Sequence, residues 1–129
     1  FRLAANPSYS TSKGPGVRGQ RYGHVTVEQQ RQWLIERTPR LGFELMPVDH
    51  ADGGGTDEAV LVAHRERPVF NRRRPGGGGY DRVTINRTVY EGVMRITDPE
   101  SLCRALVTGI GKSKAYGCGL MTLARVQQV

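Results

Sequence analysis

The sequence predicts an α+β domain in which two β-α-β units flank a basic hairpin, and three observations carry that reading. Two segments with helical apolar spacing each open on a capping residue, Thr26 and Asp98. Strand-like runs precede and follow both. Between the two units the chain concentrates charge and glycine, with Asn71, Arg72, Arg73, Arg74 and Pro75 running into the consecutive glycines 76–79.

Residues 1–6 alternate large apolar with polar or small side chains and stop at Pro7, as a short strand does. Residues 8–23 mix serine, glycine and proline with Lys13, Arg18 and Arg21 and read as a basic loop. Thr26 caps a helix, Gln29 three positions on completes a capping box, Trp33 and Leu34 share one face, and the helix stops near Pro39 with Gly42 beyond it. A second strand over 43–48 leads into a glycine-rich turn at 51–56, and 59–63 is a further β-prone run. Residues 80–96 alternate well enough for one long strand, with Gly92 as a bulge or bend. Asp98 and Pro99 then suit the N-cap and first position of a helix whose apolar stripe is Leu102, Cys103, Leu106 and Val107. Gly109 ends it, and 120–126 closes the chain as a strand. The order β-α-β, hairpin, β-α-β is that of a ferredoxin-like (RRM-like) βαββαβ domain with an inserted basic β-hairpin.

With 129 residues and 37% hydrophobic content, one ordinary core is the default. The formal charge of +7 favours an anionic partner such as nucleic acid or acidic lipid. Only Lys13, Lys112 and Lys114 are lysines, so arginine supplies most of the charge, and its planar fork suits phosphates and base stacking; a GC-rich genome gives the same bias without functional meaning. Cys103 and Cys118 stand in apolar settings without metal-ligand spacing and read as core residues in a reducing compartment. Neither a membrane-span-length apolar stretch nor a signal-peptide pattern occurs, which predicts a soluble, cytoplasmic protein with no membrane partner.

The most informative stretch is GIGKSKAYGCGL at 109–120, with Gly109, Gly111, Gly117 and Gly119, Lys112 and Lys114, Ser113 and Tyr116 in twelve positions. Glycine permits the backbone to turn its amides toward an anion, and two lysines add charge, so the loop reads as a polyanion contact. The other reading is structural: Gly109 and Gly111 end a helix, and Gly117 and Gly119 let a strand pack closely. The GKS triplet is not a nucleotide-binding loop, because Leu106 stands where that motif requires glycine and a helical pattern rather than a strand precedes it. No metal or other cofactor is expected. His24, His50 and His64 are the only histidines. His24, after Arg21, Tyr22 and Gly23, suits a structural or phosphate-adjacent role, and the other two suit solvent.

FRLAANP at the start, the Gln32-Trp33-Leu34 helix, Gly42-Phe43, TVYEGVMRITDPESL and GIGKSKAYGCGLMTLARV together resemble the C-terminal portion of the CasE family, the CRISPR RNA endoribonucleases of Cascade-type systems. The resemblance is most specific over 89–125. It implies two ferredoxin-like domains, with 1–24 as the last strand of a preceding domain plus linker and 25–129 as the C-terminal RNA-binding domain. It implies that the glycine-rich loop contacts the repeat stem-loop, that Arg72, Arg73 and Arg74 lie along the stem, and that other Cascade subunits are partners. It further implies one metal-independent cut at the base of the stem by 2′-hydroxyl attack. The family's catalytic histidine belongs to a helix ahead of the part resembled, so no catalytic residue is assigned among residues 1–129. A non-catalytic ferredoxin-like RNA-binding or assembly module accounts for charge and fold equally well.

Overall fold

A computed structural model describes residues 1–127. In chain order the elements are β1 (Arg2–Ala5), β2 (Ser8–Thr11), β3 (Gln20–Gly23), α1 (Val27–Ile35), α2 (Thr38–Leu41), β4 (Phe43–Leu45), β5 (Pro47–Asp49), β6 (Thr56–Glu58), β7 (Val60–Glu66), β8 (Val69–Arg73), β9 (Tyr80–Thr84), β10 (Arg87–Gly92), β11 (Met94–Ile96), α3 (Pro99–Thr108), a 3₁₀ turn (Lys114–Tyr116) and β12 (Leu120–Thr122). The central sheet has the order β12-β1-β10-β7, antiparallel throughout. Each of the remaining sheets is a strand pair: β2-β3, β4-β11, β5-β6 and β8-β9.

Leu3 sits opposite both Tyr90 and Met121, and this buried row forms the inner face of the sheet. Trp33 and Leu34 of α1 and Leu102 and Ala105 of α3 cover it, with Phe43 and Ile110 filling the ends. Tyr90 lies parallel to Trp33 at 6.3 Å and donates its hydroxyl to the Gln30 carbonyl at 2.7 Å. Burial accordingly pushes the Tyr90 phenol well above its ordinary value.

Both helix starts match the sequence reading. Thr26 Oγ1 accepts from the Gln29 amide at 3.1 Å while Gln29 Oε1 accepts from the Thr26 amide at 3.3 Å, and Asp98 Oδ1 accepts from the Ser101 amide at 3.2 Å. Gly42, at φ +84°, caps α2, and a Cβ there would stand 2.3 Å from the Asp98 carbonyl oxygen.

Several expectations are corrected. Residues 8–23 are not simply a loop, because β2 and β3 pair and Tyr9 stacks on Tyr22 at 5.6 Å. The helix ends at Ile35 rather than near Pro39, which instead occupies the first turn of the separate α2. The strand at 43–48 breaks at Met46, whose backbone bonds to Val93 and Ala59. The strand at 59–63 runs on to Glu66.

The segment 80–96 is divided among β9, β10 and β11, which belong to different sheets, with buried Ile85 at the first corner. The bulge lies across β7 and β10 near Val89 and Tyr90, not at Gly92, whose place is a close approach: a Cβ there would stand 2.3 Å from the Ala59 carbonyl oxygen. Cys103 and Val107 face solvent because α3 turns Leu102 and Ala105 inward; Cys118 is buried as expected. The last strand is only residues 120–122. Both edges of β1 are taken, by β10 and β12, and Leu3 is in the core. No helix among the described residues is long and apolar enough to cross a membrane.

Candidate nucleic-acid interface

The loop joining α3 to β12 is held by its own backbone at both ends. Gly109, at φ +82°, returns its amide to the Ala105 carbonyl, and the Ile110 amide donates to the Gly119 carbonyl, each at 2.9 Å. At the far end the Gly119 amide donates to Ala4 of β1, while the amides of Tyr116, Gly117 and Cys118 donate back to Ser113 or Lys114. Gly109 and Gly119 therefore do the structural work of ending a helix and admitting close backbone contact. Among the described residues, the amides of Gly111, Lys112, Ser113, Lys114 and Ala115 donate to no protein acceptor. The amides left without a protein acceptor are thus fewer than the glycine-rich stretch supplies.

Two side chains shape that open arc. A Cβ on Gly111 would stand 3.1 Å from the Trp33 ring, so the loop presses on α1. Ser113 is the one non-glycine with positive φ among the described residues, at +62°. Asn6 holds it: its Nδ2 donates to Ser113 Oγ at 2.8 Å and its Oδ1 accepts from the Asn86 amide at 3.2 Å. Lys112 and Lys114 are exposed. The Lys114 stem lies across Gly109 and Gly119, within 3.4 Å of where either Cβ would be.

The arginine run divides. Arg72 and Arg74 meet Asp81 of β9 at 3.7 and 2.7 Å, and their hydrogen bonds, led by that of Arg74, hold the Asp81 carboxyl below its usual range. Arg73 has no charged partner among the described residues and lies on the opposite face of the hairpin, with Arg82 two positions from its cross-strand neighbour Tyr80.

The hairpin is also tied to the loop. Phe70 meets Tyr116 edge-on at 5.0 Å, the Arg72 Nη1 reaches the Tyr116 hydroxyl at 3.5 Å, and Arg87 Nη2 donates to the Tyr116 carbonyl at 2.9 Å while pairing with Glu66. Thus the structure joins loop and hairpin through Tyr116, a contact the sequence reading did not foresee. Asn6, Arg82 and Arg87 were missed as well; only Asn6 carried a signal, as the residue ending the first strand inside FRLAANP.

His24 is separate from this arc. Its ring packs 5.0 Å from Tyr9, and burial, followed by the Arg37 charge, holds its imidazole below the ordinary value. No cluster of metal-ligating side chains occurs among the described residues. The chemistry on offer is anion binding by amides, lysines and arginines.

The chain is 27% identical over 124 residues to the CRISPR-associated endoribonuclease Cse3 of Thermus thermophilus, covering 96% of this chain and 54% of that protein. It therefore spans about half the length of that relative. The structure of CRISPR endoribonuclease Cse3 bound to a 19 nt RNA superposes with a TM-score of 0.73 at 26% identity, covering 96% of this chain and 54% of the other. Thermus thermophilus Cse3 bound to an RNA representing a pre-cleavage complex gives 0.69 at 26% identity, covering 96% and 52%. The CRISPR-associated protein Cas6e of Escherichia coli K-12 shares the fold, with a TM-score of 0.54 at 22% identity over 97% of this chain and 58% of that one. The profile of the family described as CRISPR associated protein matches residues 1–125, and this chain belongs to that family.

Proposed function

We propose that this chain is the RNA-gripping part of an endoribonuclease that processes CRISPR repeat RNA. The observation that carries the proposal is the open arc at 111–115, where unengaged amides and two exposed lysines stand beside an arginine-bearing hairpin. Successive amides and ammonium groups complement a phosphate backbone, and Lys112 and Lys114 form no ion pair among the described residues. The likeness to Cse3, named as an endoribonuclease and seen with RNA in two structures, favours an enzyme over a non-catalytic module. The antiparallel order β12-β1-β10-β7, with helical crossovers and the β8-β9 hairpin inserted in the chain between β7 and β10, supports a ferredoxin-like βαββαβ unit with an inserted arm.

In this reading Lys112 and Lys114 hold phosphates at the stem base, with Gly109, Gly111, Ser113, Tyr116, Gly117 and Gly119 shaping the loop that presents them. Arg72, Arg73 and Arg74 lie along the stem, where the narrow major groove of A-form RNA leaves shape and phosphates to be read. Cleavage in the whole protein proceeds without metal. A general base takes the 2′-hydroxyl proton, the 2′-oxygen attacks the neighbouring phosphorus to leave a 2′,3′-cyclic phosphate, the bond to the 5′-oxygen breaks, and a general acid protonates that leaving oxygen. The acid and base lie outside the residues assigned here. Other Cascade subunits are its proposed protein partners, in the cytoplasm.

The test is a binding titration of a labelled repeat stem-loop against salt. Replacing Lys112 and Lys114 by alanine lowers the salt slope by up to about two, since each lost phosphate contact removes roughly one released counterion. An unchanged slope refutes the phosphate role.

A further inference from the structure

A second basic surface lies on the other side of the glycine-rich loop. A groove of about 470 Å³ runs between the β2-β3 hairpin, α1, α2 and the loop, and its lining includes Tyr9, Arg21, Trp33, Arg37, Arg40 and Lys112. None of the four cations forms an ion pair among the described residues. Arg37 is fixed in place: its guanidinium lies 4.3 Å from the Trp33 ring centre and Nη1 donates to the Trp33 carbonyl at 2.8 Å. Burial and then the neighbouring Arg40 charge lower its affinity for a proton, with the Glu36 charge opposing. Tyr9, which lines the groove, is 47% exposed and stacks on Tyr22, itself 40% exposed, with the His24 ring 5.0 Å from Tyr9.

We propose that this groove takes a single-stranded RNA segment, with phosphates on Arg37, Arg40 and Lys112 and a base on Tyr9. Like charges in a groove with no carboxylate among its lining residues favour a polyanion. The exposed tyrosine pair distinguishes the strand from a duplex, because bases inside a stem are already stacked and cannot lie on a side-chain ring, whereas an unpaired base can. Lys112 lines both the groove and the open arc, so a strand leaving a stem held at the loop passes directly into it. The inference rests on the reading of that loop as a phosphate contact.

Fluorescence anisotropy on the 129-residue chain separates the two. The probes are a blunt repeat stem-loop and the same stem-loop with an unpaired extension of about six nucleotides. Tyr9→Ala and Arg40→Ala each weaken the extended RNA about five- to tenfold, for lost stacking or a lost phosphate contact, and leave the blunt RNA within about twofold. Tyr9→Phe keeps parental affinity because the ring remains, which also controls for any loosening of the hairpin. Lys114→Ala, outside the groove, weakens both RNAs. Loss from Lys114→Ala with no extension-specific effect of Tyr9→Ala and Arg40→Ala overturns the groove alone; no loss from any of the three overturns the loop reading as well. Inorganic polyphosphate abolishing the advantage of the extension as effectively as oligouridylate would overturn the role of Tyr9.

Discussion

Replacing Asn6 by alanine removes the side chain that links Ser113 of the open loop to Asn86. Two hydrogen bonds are lost, the 2.8 Å bond to Ser113 Oγ and the 3.2 Å bond from the Asn86 amide, each worth about 0.5–1.5 kcal/mol. Ser113 and Asn86 are half-buried, so water recovers part of the desolvation cost, while Asn6 itself is 6% exposed and leaves a small void. The expected destabilisation is about 1–3 kcal/mol, a fall in melting temperature of about 4–12 °C for a domain of this size.

The same bond restrains a residue at φ +62°, a conformation that costs a non-glycine residue about 1–2 kcal/mol. Without Asn6 the loop relaxes, and RNA must restore its shape, so affinity falls about tenfold. Ser113→Gly is the control, because it loses the hydroxyl but also the backbone cost, and its net change stays within about 1 kcal/mol. The assays are urea denaturation and stem-loop binding on all three proteins. Parental stability and affinity in Asn6→Ala would refute the clamp, and equal losses in Ser113→Gly would refute the strain argument.

Two further outcomes follow from the same geometry. In hydrogen exchange without RNA, amides of the paired strands β8 and β9 are protected while the glycine turn at 76–79 exchanges fast, and Tyr116→Ala spreads fast exchange to Phe70 and Arg72; equal protection in both proteins would show that Tyr116 does not anchor the hairpin. The Asp57 carboxyl, bonded to Arg31 at 2.8 Å, is lowered from 3.8 to about 2, so its contribution to stability is present above pH 3.8 and lost as pH falls through about 2. Arg31→Leu flattens that part of the melting curve against pH, and an unaltered profile between about pH 4 and 2 would refute the assignment.

What the sequence discloses here is what short-range chemistry determines. Thr26 with Gln29 and Asp98 with Pro99 specify helix starts within a few residues, so both were legible. The hairpin at 8–23 was not, because Ser-Tyr-Ser-Thr and Gln-Arg-Tyr-Gly bury little and show no apolar alternation; only the cross-strand meeting of Tyr9 and Tyr22 reveals the pairing. Residues 80–96 alternate throughout, yet alternation does not say which sheet a strand joins, and the corner at Ile85 depends on its amide reaching Pro68. The site was legible in the same degree. Glycine and lysine identified the loop, but which amides stay free depends on Ala4 and Ala105, far apart in sequence.

The distribution of charge carries the argument one step past the total of +7. Arg2, Arg31, Arg87 and Arg95 pair with Glu91, Asp57, Glu66 and Glu44 across strands or between helix and strand. Such exposed pairs contribute only about 0–1 kcal/mol each. Their larger effect is to cancel charge where the elements meet. Arg21, Arg40, Lys112 and Lys114 have no carboxylate partner among the described residues, and all of them border the loop or its groove. With Arg37 these cations gather around the groove and beside the amides of 111–115, so in the proposed reading a polyanion meets there a local field stronger than the net charge alone suggests. An arginine braced by a carboxylate and one left open are thus unequal: neutralising Arg95 removes a weak surface pair, whereas neutralising Arg40 removes part of the field itself.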